Sequence, residues 1–153
     1  MVFGLMSGRP SASSAATASR MRAVRQSLTK PELDLQDRLR SIGRSYQTDV
    51  APVAGSRRRA DIVYHDARVA VLVHGCFWHS CPYHKSVPKT NTEWWVEKLK
   101  ANRRRDNSTM RLLRGSGWTV VRVWAHEDMD RAARRIRAAV VGRAGDAIRG
   151  EST

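Results

Sequence analysis

Ala60-Asp61-Ile62-Val63-Tyr64 and Arg68-Val69-Ala70-Val71-Leu72-Val73 run directly into His74-Gly75-Cys76-Phe77-Trp78-His79-Ser80-Cys81-Pro82-Tyr83-His84. The two short apolar runs, rich in β-branched residues and parted by a turn at His65-Asp66, read as adjacent strands, the second of them buried. The stretch after them has no period. His74 to Pro88 carries Gly, two prolines, both cysteines of the chain and three of its five histidines, so it reads as an irregular loop. Upstream, Thr29-Lys30-Pro31-Glu32 has the form of a capping box, with Thr at N-cap and Glu at N3. Leu35, Leu39 and Ile42 follow at helical spacing until Gly43 stops the helix. Tyr46 to Val50 is a short strand, and Pro52 to Arg59 a turn ending in three arginines. Downstream, Thr92 to Gly115 reads as a long helix with a strongly basic face. Trp118 to Trp124 alternates as a strand, and Glu127 to Val141 as an amphipathic helix with Ala132, Ile136 and Val140 on one stripe. The order α-β-β-β-α-β-α predicts an α/β fold, a small mixed sheet flanked by helices.

The chain of 153 residues suits one domain. We place it at residues 21–142, between a disordered basic leader (1–20, rich in Ser, Ala, Gly and Thr) and a flexible tail (143–153). No apolar run approaches the ~20 residues of a membrane helix, and the first residues lack a secretory h-region. Two cysteines exclude a disulfide-rich scaffold and fit a reducing, cytoplasmic setting. Lys+Arg number 28 against 14 Asp+Glu, a formal charge of +14. Only five of the basic residues are lysines (Lys30, Lys85, Lys89, Lys98, Lys100), leaving 23 arginines. Guanidinium groups bind phosphate bidentately and stack on bases, so the balance points to nucleic acid.

Cys76, Cys81 and His84 form C-x4-C-x2-H, a spacing suited to tetrahedral zinc, and a long irregular loop gains from a metal clip. Three ligands are not four. His126, just past the strand ending at Trp124, and His79, inside the loop, are candidates for the fourth; two free cysteines beside unrelated histidines are the competing reading. His79 is equally suited to act as a general base near neutral pH. Asp61 could hold Mg²⁺ beside a phosphodiester or simply make a turn hydrogen bond, and Glu32 could do no more than cap its helix. The adjacent aromatics Phe77-Trp78 and Trp94-Trp95 cannot all face one core. One of each pair points outward, either as packing or as a wedge between base steps. Arg57-Arg58-Arg59 and Arg103-Arg104-Arg105 would hold the phosphates.

The run His74-Gly75-Cys76-Phe77-Trp78-His79-Ser80-Cys81-Pro82 resembles the signature of the very-short-patch repair endonucleases. The likeness continues through several blocks in order: Met21-Arg22, Thr29-x-x-Glu32, Arg59-Ala60-Asp61-Ile62-Val63 and Val87-Pro88. It then runs through Thr92-Glu93-Trp94-Trp95-x-Glu97-Lys98, Asn102-x-x-Arg105-Asp106 and Gly117-Trp118-x-Val120-x-Arg122-Val123-Trp124. It spans roughly residues 20–142.

The resemblance implies a restriction-endonuclease-like fold with a zinc-stapled loop. It implies a Mg²⁺-dependent enzyme that nicks double-stranded DNA 5′ to the thymine of a T:G mismatch left by deamination of 5-methylcytosine. Asp61 takes the place of the catalytic Mg²⁺ carboxylate, and Val73 that of a residue lending its backbone carbonyl to the ion. His79 matches the histidine beside the scissile phosphate; Glu32 and His74 match auxiliary catalytic positions. Phe77, Trp78 and Trp95 match the intercalating wedge, with Arg59 and Arg105 among the DNA contacts. Cys76, Cys81, His84 and His126 match the structural zinc ligands. The chain departs from the family at Ala60, where proline is usual, at Val73, where threonine is, and at His126, where many relatives carry cysteine. Histidine also binds zinc, so four N/S donors are kept. A single nick needs one active site, so a monomer is expected, with mismatch-repair proteins as partners and the nucleoid as its place. A non-catalytic zinc-containing DNA-binding module is the alternative, and a His-Asn-His nuclease, in which Asp61 would have no duty, is a third reading.

Overall fold

The structure, a computed structural model, describes residues 29–84 and 86–150, with 144–150 described as helix only. The expected leader and the Met21-Arg22 block lie outside the described residues. Helix α1 (Lys30–Leu39) passes into a 3₁₀ turn (Arg40–Ile42) that ends at Gly43, whose φ of 68° is the left-handed conformation a helix stop requires. Strands β1 (Gln47–Val50), β2 (Ala60–Tyr64) and β3 (Val69–His74) follow, then α2 (Thr92–Gly115), β4 (Thr119–Trp124) and α3 (Met129–Gly150). The last helix passes Val141, where the amphipathic stripe suggests an end, so residues 143–150 of the expected tail are helical.

The sheet order is β1-β2-β3-β4. The first two pairings are antiparallel and β3–β4 is parallel, reached by way of α2. Alternation along β2 and β3 divides the core in two. Ile62, Tyr64, Val69 and Val71 meet Leu35 and Leu39 of α1 and Ala132, Ile136 and Val140 of α3. On the opposite face Val63, Ala70 and Leu72 meet Met110, Leu113 and Trp118, the contribution of α2 and the turn after it. A strand covered on both faces reads as continuous apolar sequence, and Val69 to Leu72 is buried throughout.

Two local readings change. The Thr29 hydroxyl caps no backbone amide; it donates to a Glu32 carboxylate oxygen at 2.9 Å. The final helix is started not by Glu127 but by Asp128, whose Oδ1 accepts the amides of Asp130 (2.8 Å) and Arg131 (3.1 Å), contacts that lower its pKa. Glu127 instead braces the preceding turn. It accepts the Trp124 amide at 2.9 Å and pairs with Arg135 at 3.0 Å. No helix among the described residues is long and apolar enough to cross a membrane.

Candidate active site

The β2–β3 ladder ends at Ile62↔Val71. Beyond it, the Asp61 side chain takes over the partnership of Val73. Its Oδ2 accepts the Val73 amide at 2.6 Å. In an antiparallel pair the N–H and C=O of one residue point to the same neighbour, so the Val73 carbonyl is presented on the Asp61 side as well. A carboxylate oxygen and a carbonyl at one strand end are the hard donors a Mg²⁺ ion takes. Burial pushes the Asp61 pKa up to about 6; the Val73 hydrogen bond opposes that rise, and the nearby Glu32 charge adds to it. Both Val73 groups are backbone, so neither depends on the side chain at that position.

His74 ends β3 and is buried, with its carbonyl accepting the Ala125 amide at 2.9 Å. Burial, and then the neighbouring His79, lower its pKa to about 4, so it is neutral at pH 7. The His79 ring lies flat on it, centroids 4.2 Å apart and planes within 4°. His79 Nδ1 donates to Asp106 Oδ2 at 2.6 Å, which leaves Nε2 as the basic nitrogen. His74, His79 and Asp106 form one of two groups close enough to hold a metal. Parallel stacked rings, however, direct their lone pairs along separate planes. The trio suits an imidazole held and polarised by a carboxylate. Asp106 appears in the sequence only as the last residue of the Asn102-x-x-Arg105-Asp106 block, with no role assigned to it there. The signal was a lone acid directly after three arginines, one helical turn from Asn102, whose Nδ2 donates to the Trp78 carbonyl at 3.0 Å. Through this pair α2 fixes both ends of the Trp78-His79 segment.

The second metal-capable group is Cys76, Cys81, His84 and His126, with all donor atoms within 4.8 Å of one another. Cys76 Sγ lies 3.1 Å from His126 Nδ1. Cys81 Sγ lies 3.5 Å from the same nitrogen and 3.6 Å from His84 Nδ1. Edges of that length belong to a tetrahedron with bonds of ~2.0–2.3 Å, so two thiolates and two imidazoles fit zinc. Burial is the largest influence on the Cys76 thiol and pushes its pKa up. Burial acts the same way on Cys81, but hydrogen bonds from His84 and the local backbone outweigh it and bring that thiol down. His126 therefore joins this group, and His79 does not.

Phe77, Trp78 and Trp95 pack edge-on or tilted, with centroids 5.0, 5.4 and 5.9 Å apart, and Trp94 meets Trp95 at 4.8 Å. Trp95 is the buried base of this cluster, only 6% exposed, while Phe77, Trp78 and Trp94 are half-buried around it. One tryptophan of the Trp94-Trp95 pair does turn inward, and it is Trp95, the one expected in the wedge. Arg103, Arg104 and Arg105 are exposed on α2. Arg59 is exposed and bound to Asp49, its Nε donating to Oδ1 at 2.7 Å and its second nitrogen to the Asp49 carbonyl. Glu32 is buried beside Asp61, under the Thr29 hydroxyl.

Residues 12–85 match the model of a family described as DNA mismatch endonuclease Vsr. Among curated proteins the chain is 39% identical to the type II nicking enzyme V.NaeI of Lentzea aerocolonigenes, over 80% of this chain and 75% of the relative. It is 35% identical to the type II nicking enzyme V.XorIIP of Xanthomonas oryzae, over 76% and 85%. It is 36% identical to the DNA mismatch endonuclease Vsr of Escherichia coli, over 72% and 69%.

Proposed function

The chain belongs to the Vsr family of DNA mismatch endonucleases, and on that premise we propose that it nicks double-stranded DNA 5′ to the thymine of a T:G mismatch, using Mg²⁺. It is a nuclease that acts on DNA, so the non-catalytic alternative falls away. The observation that carries the finer reading is the meeting of Asp61 with the Val73 backbone on one side and the Asp106–His79–His74 stack on the other. Bound Mg²⁺ would polarise the scissile phosphate and stabilise the charge that develops on it. Asp61 and the Val73 carbonyl would hold that ion. Asp106 holds His79 so that Nε2 can take a proton from the attacking water. Neutral His74 gives the ring a flat support without adding charge. Glu32, beside Asp61, adds negative potential there.

Phe77 and Trp78, resting on Trp95, would test whether a base step yields to unstacking, which costs less at a mismatch. Arg105 and its neighbours would hold backbone phosphates. Zinc on Cys76, Cys81, His84 and His126 would fix the loop and stay away from the substrate. The protein would work as a monomer in the cytoplasm, on nucleoid DNA.

End-labelled duplexes, matched or carrying one T:G pair in varied contexts, test this reading in the presence of Mg²⁺. A nick confined to the thymine strand, lost in Asp61→Asn while the duplex is still bound, is the expected result. Cutting of matched duplexes would discard the mismatch specificity, and full activity in Asp61→Asn would discard the ion site.

A further inference from the structure

Strands β1 and β2 pair as Gln47↔Val63, Thr48↔Ile62 and Val50↔Ala60. That register sets Asp49 opposite Asp61. Side chains directly opposite in a sheet stand ~5 Å apart, and two carboxylates there repel. The backbone answers locally: Asp49 adopts φ 50°, one of only four non-glycine residues with positive φ among the described residues, and drops out of the regular ladder. Its carboxylate and its carbonyl are both gripped by the guanidinium of Arg59. Arg59 stands just ahead of β2, two residues before Asp61 and so within about 7 Å of it along the chain. Both partners are 57% exposed. An ion pair that wet contributes little to stability and is readily exchanged. A phosphodiester offers the same guanidinium a bidentate partner.

We propose that Arg59 is shared between Asp49 and the substrate: it neutralises Asp49 in the free protein, moves to a DNA phosphate on binding, and thereby exposes a negative charge opposite Asp61 that draws in the catalytic cation. Asp49 is then a positioning residue acting through Asp61, and metal loading is coupled to DNA docking. This rests on the Asp61 ion site of the proposed function. A reciprocal coupling follows by linkage: whatever DNA adds to cation affinity, the cation adds to DNA affinity.

Mn²⁺ can stand in for Mg²⁺ and be counted by the electron paramagnetic resonance of the free ion. The full chain is titrated with and without a T:G duplex carrying a phosphorothioate at the nick position. In the wild type the duplex should tighten Mn²⁺ binding. In Asp49→Asn the free protein should bind Mn²⁺ as the wild type does, while the gain from duplex shrinks about three- to ten-fold. In Arg59→Gln the free protein should bind Mn²⁺ about three- to ten-fold more tightly, and adding Asp49→Asn should cancel that rise. Unchanged Mn²⁺ affinity in free Arg59→Gln, an undiminished gain from duplex in Asp49→Asn, or no gain from duplex in the wild type would each overturn the proposal. Asp61→Asn keeps the two readings apart. If it retains Mn²⁺ binding, the ion site itself fails; if it loses binding, the test of Arg59 and Asp49 stands alone.

Discussion

His79 owes its usefulness to a neighbour 27 positions away. A free imidazole can carry its proton on either ring nitrogen; the bond to Asp106 selects Nδ1 and leaves Nε2 basic. Asp106→Asn keeps the size but can present its amide to the ring and reverse that choice. We expect nicking to fall by about a hundred-fold or more in single-turnover kcat, with duplex affinity held within about two-fold. Asp61 carries a different consequence. Its ordinary pKa of 3.8 applies in the unfolded chain, and burial raises it to about 6 in the fold. Between these values the native state binds more protons than the unfolded one, so this group's contribution to stability is greatest below pH 4 and is lost as pH rises through 6. The loss is up to about 3 kcal/mol. In Mg²⁺-free buffer the thermal midpoint should fall from pH 4 to 7 by more in the wild type than in Asp61→Asn; parallel curves would show that Asp61 is not strained by burial. Tyr64 is a cost of a simpler kind. Its hydroxyl is buried in the sheet core with no hydrogen-bond partner among the described residues.

At the scale of elements, the described residues between β3 and α2 (75–84 and 86–91) lack regular structure, and among them few points are held. His79 and Cys81 amides bond to the Gly75 and Cys76 carbonyls, Asn102 holds Trp78, and Cys76, Cys81 and His84 meet His126. Cys81, fully buried, is the inner corner of that group. Cys81→Ser should remove about one zinc per chain by atomic absorption and lower the thermal midpoint by about 5 °C or more, as loss of a structural metal does in a small domain. Equal zinc content in both proteins would remove Cys81 from the ligand set. The strands and helices were legible in the sequence because period and punctuation agree there. Ala60–Tyr64 and Thr92–Gly115 fall where alternation and the turn residues place them, and Gly43 ends the first helix as its spacing foretells. Asp106 and Trp95 were not legible in their roles. Nothing in a helical pattern says which polar residue will face a loop from elsewhere in the chain. Nor does it say which of two adjacent tryptophans turns inward. Both depend on how α2 is rotated over the sheet.

Across the whole molecule, +14 on 153 residues is a long-range field as well as a set of contacts. Arg103, Arg104 and Arg105 stand exposed on the helix that also delivers Asp106, so a surface suited to a DNA backbone adjoins the carboxylate that holds His79. Binding should weaken steeply with salt. Each phosphate contact removed by an Arg→Gln change in this run should flatten the slope of log K against log salt by about 0.9, alike for matched and mismatched duplexes. A change confined to mismatched DNA would mark these arginines as readers of the lesion rather than holders of the strand.

The parallel β3–β4 pairing reaches to His74↔Trp124 and is continued by the bond from the Ala125 amide to the His74 carbonyl. It sets His126 against the loop that opens at His74, much as α2 sets Asp106 against His79. The distinctive run from His74 to Pro82 is therefore half of a split lock. A shortened relative could keep every letter of that run, with Asp61 besides, and yet end before Asp106 and His126. Such a chain would bear the signature while lacking both the acid that orients the imidazole and one of the four residues of the Cys–His group. On the proposed mechanism, those two later residues, read together with the run, would separate a working nuclease from a chain that carries the signature alone.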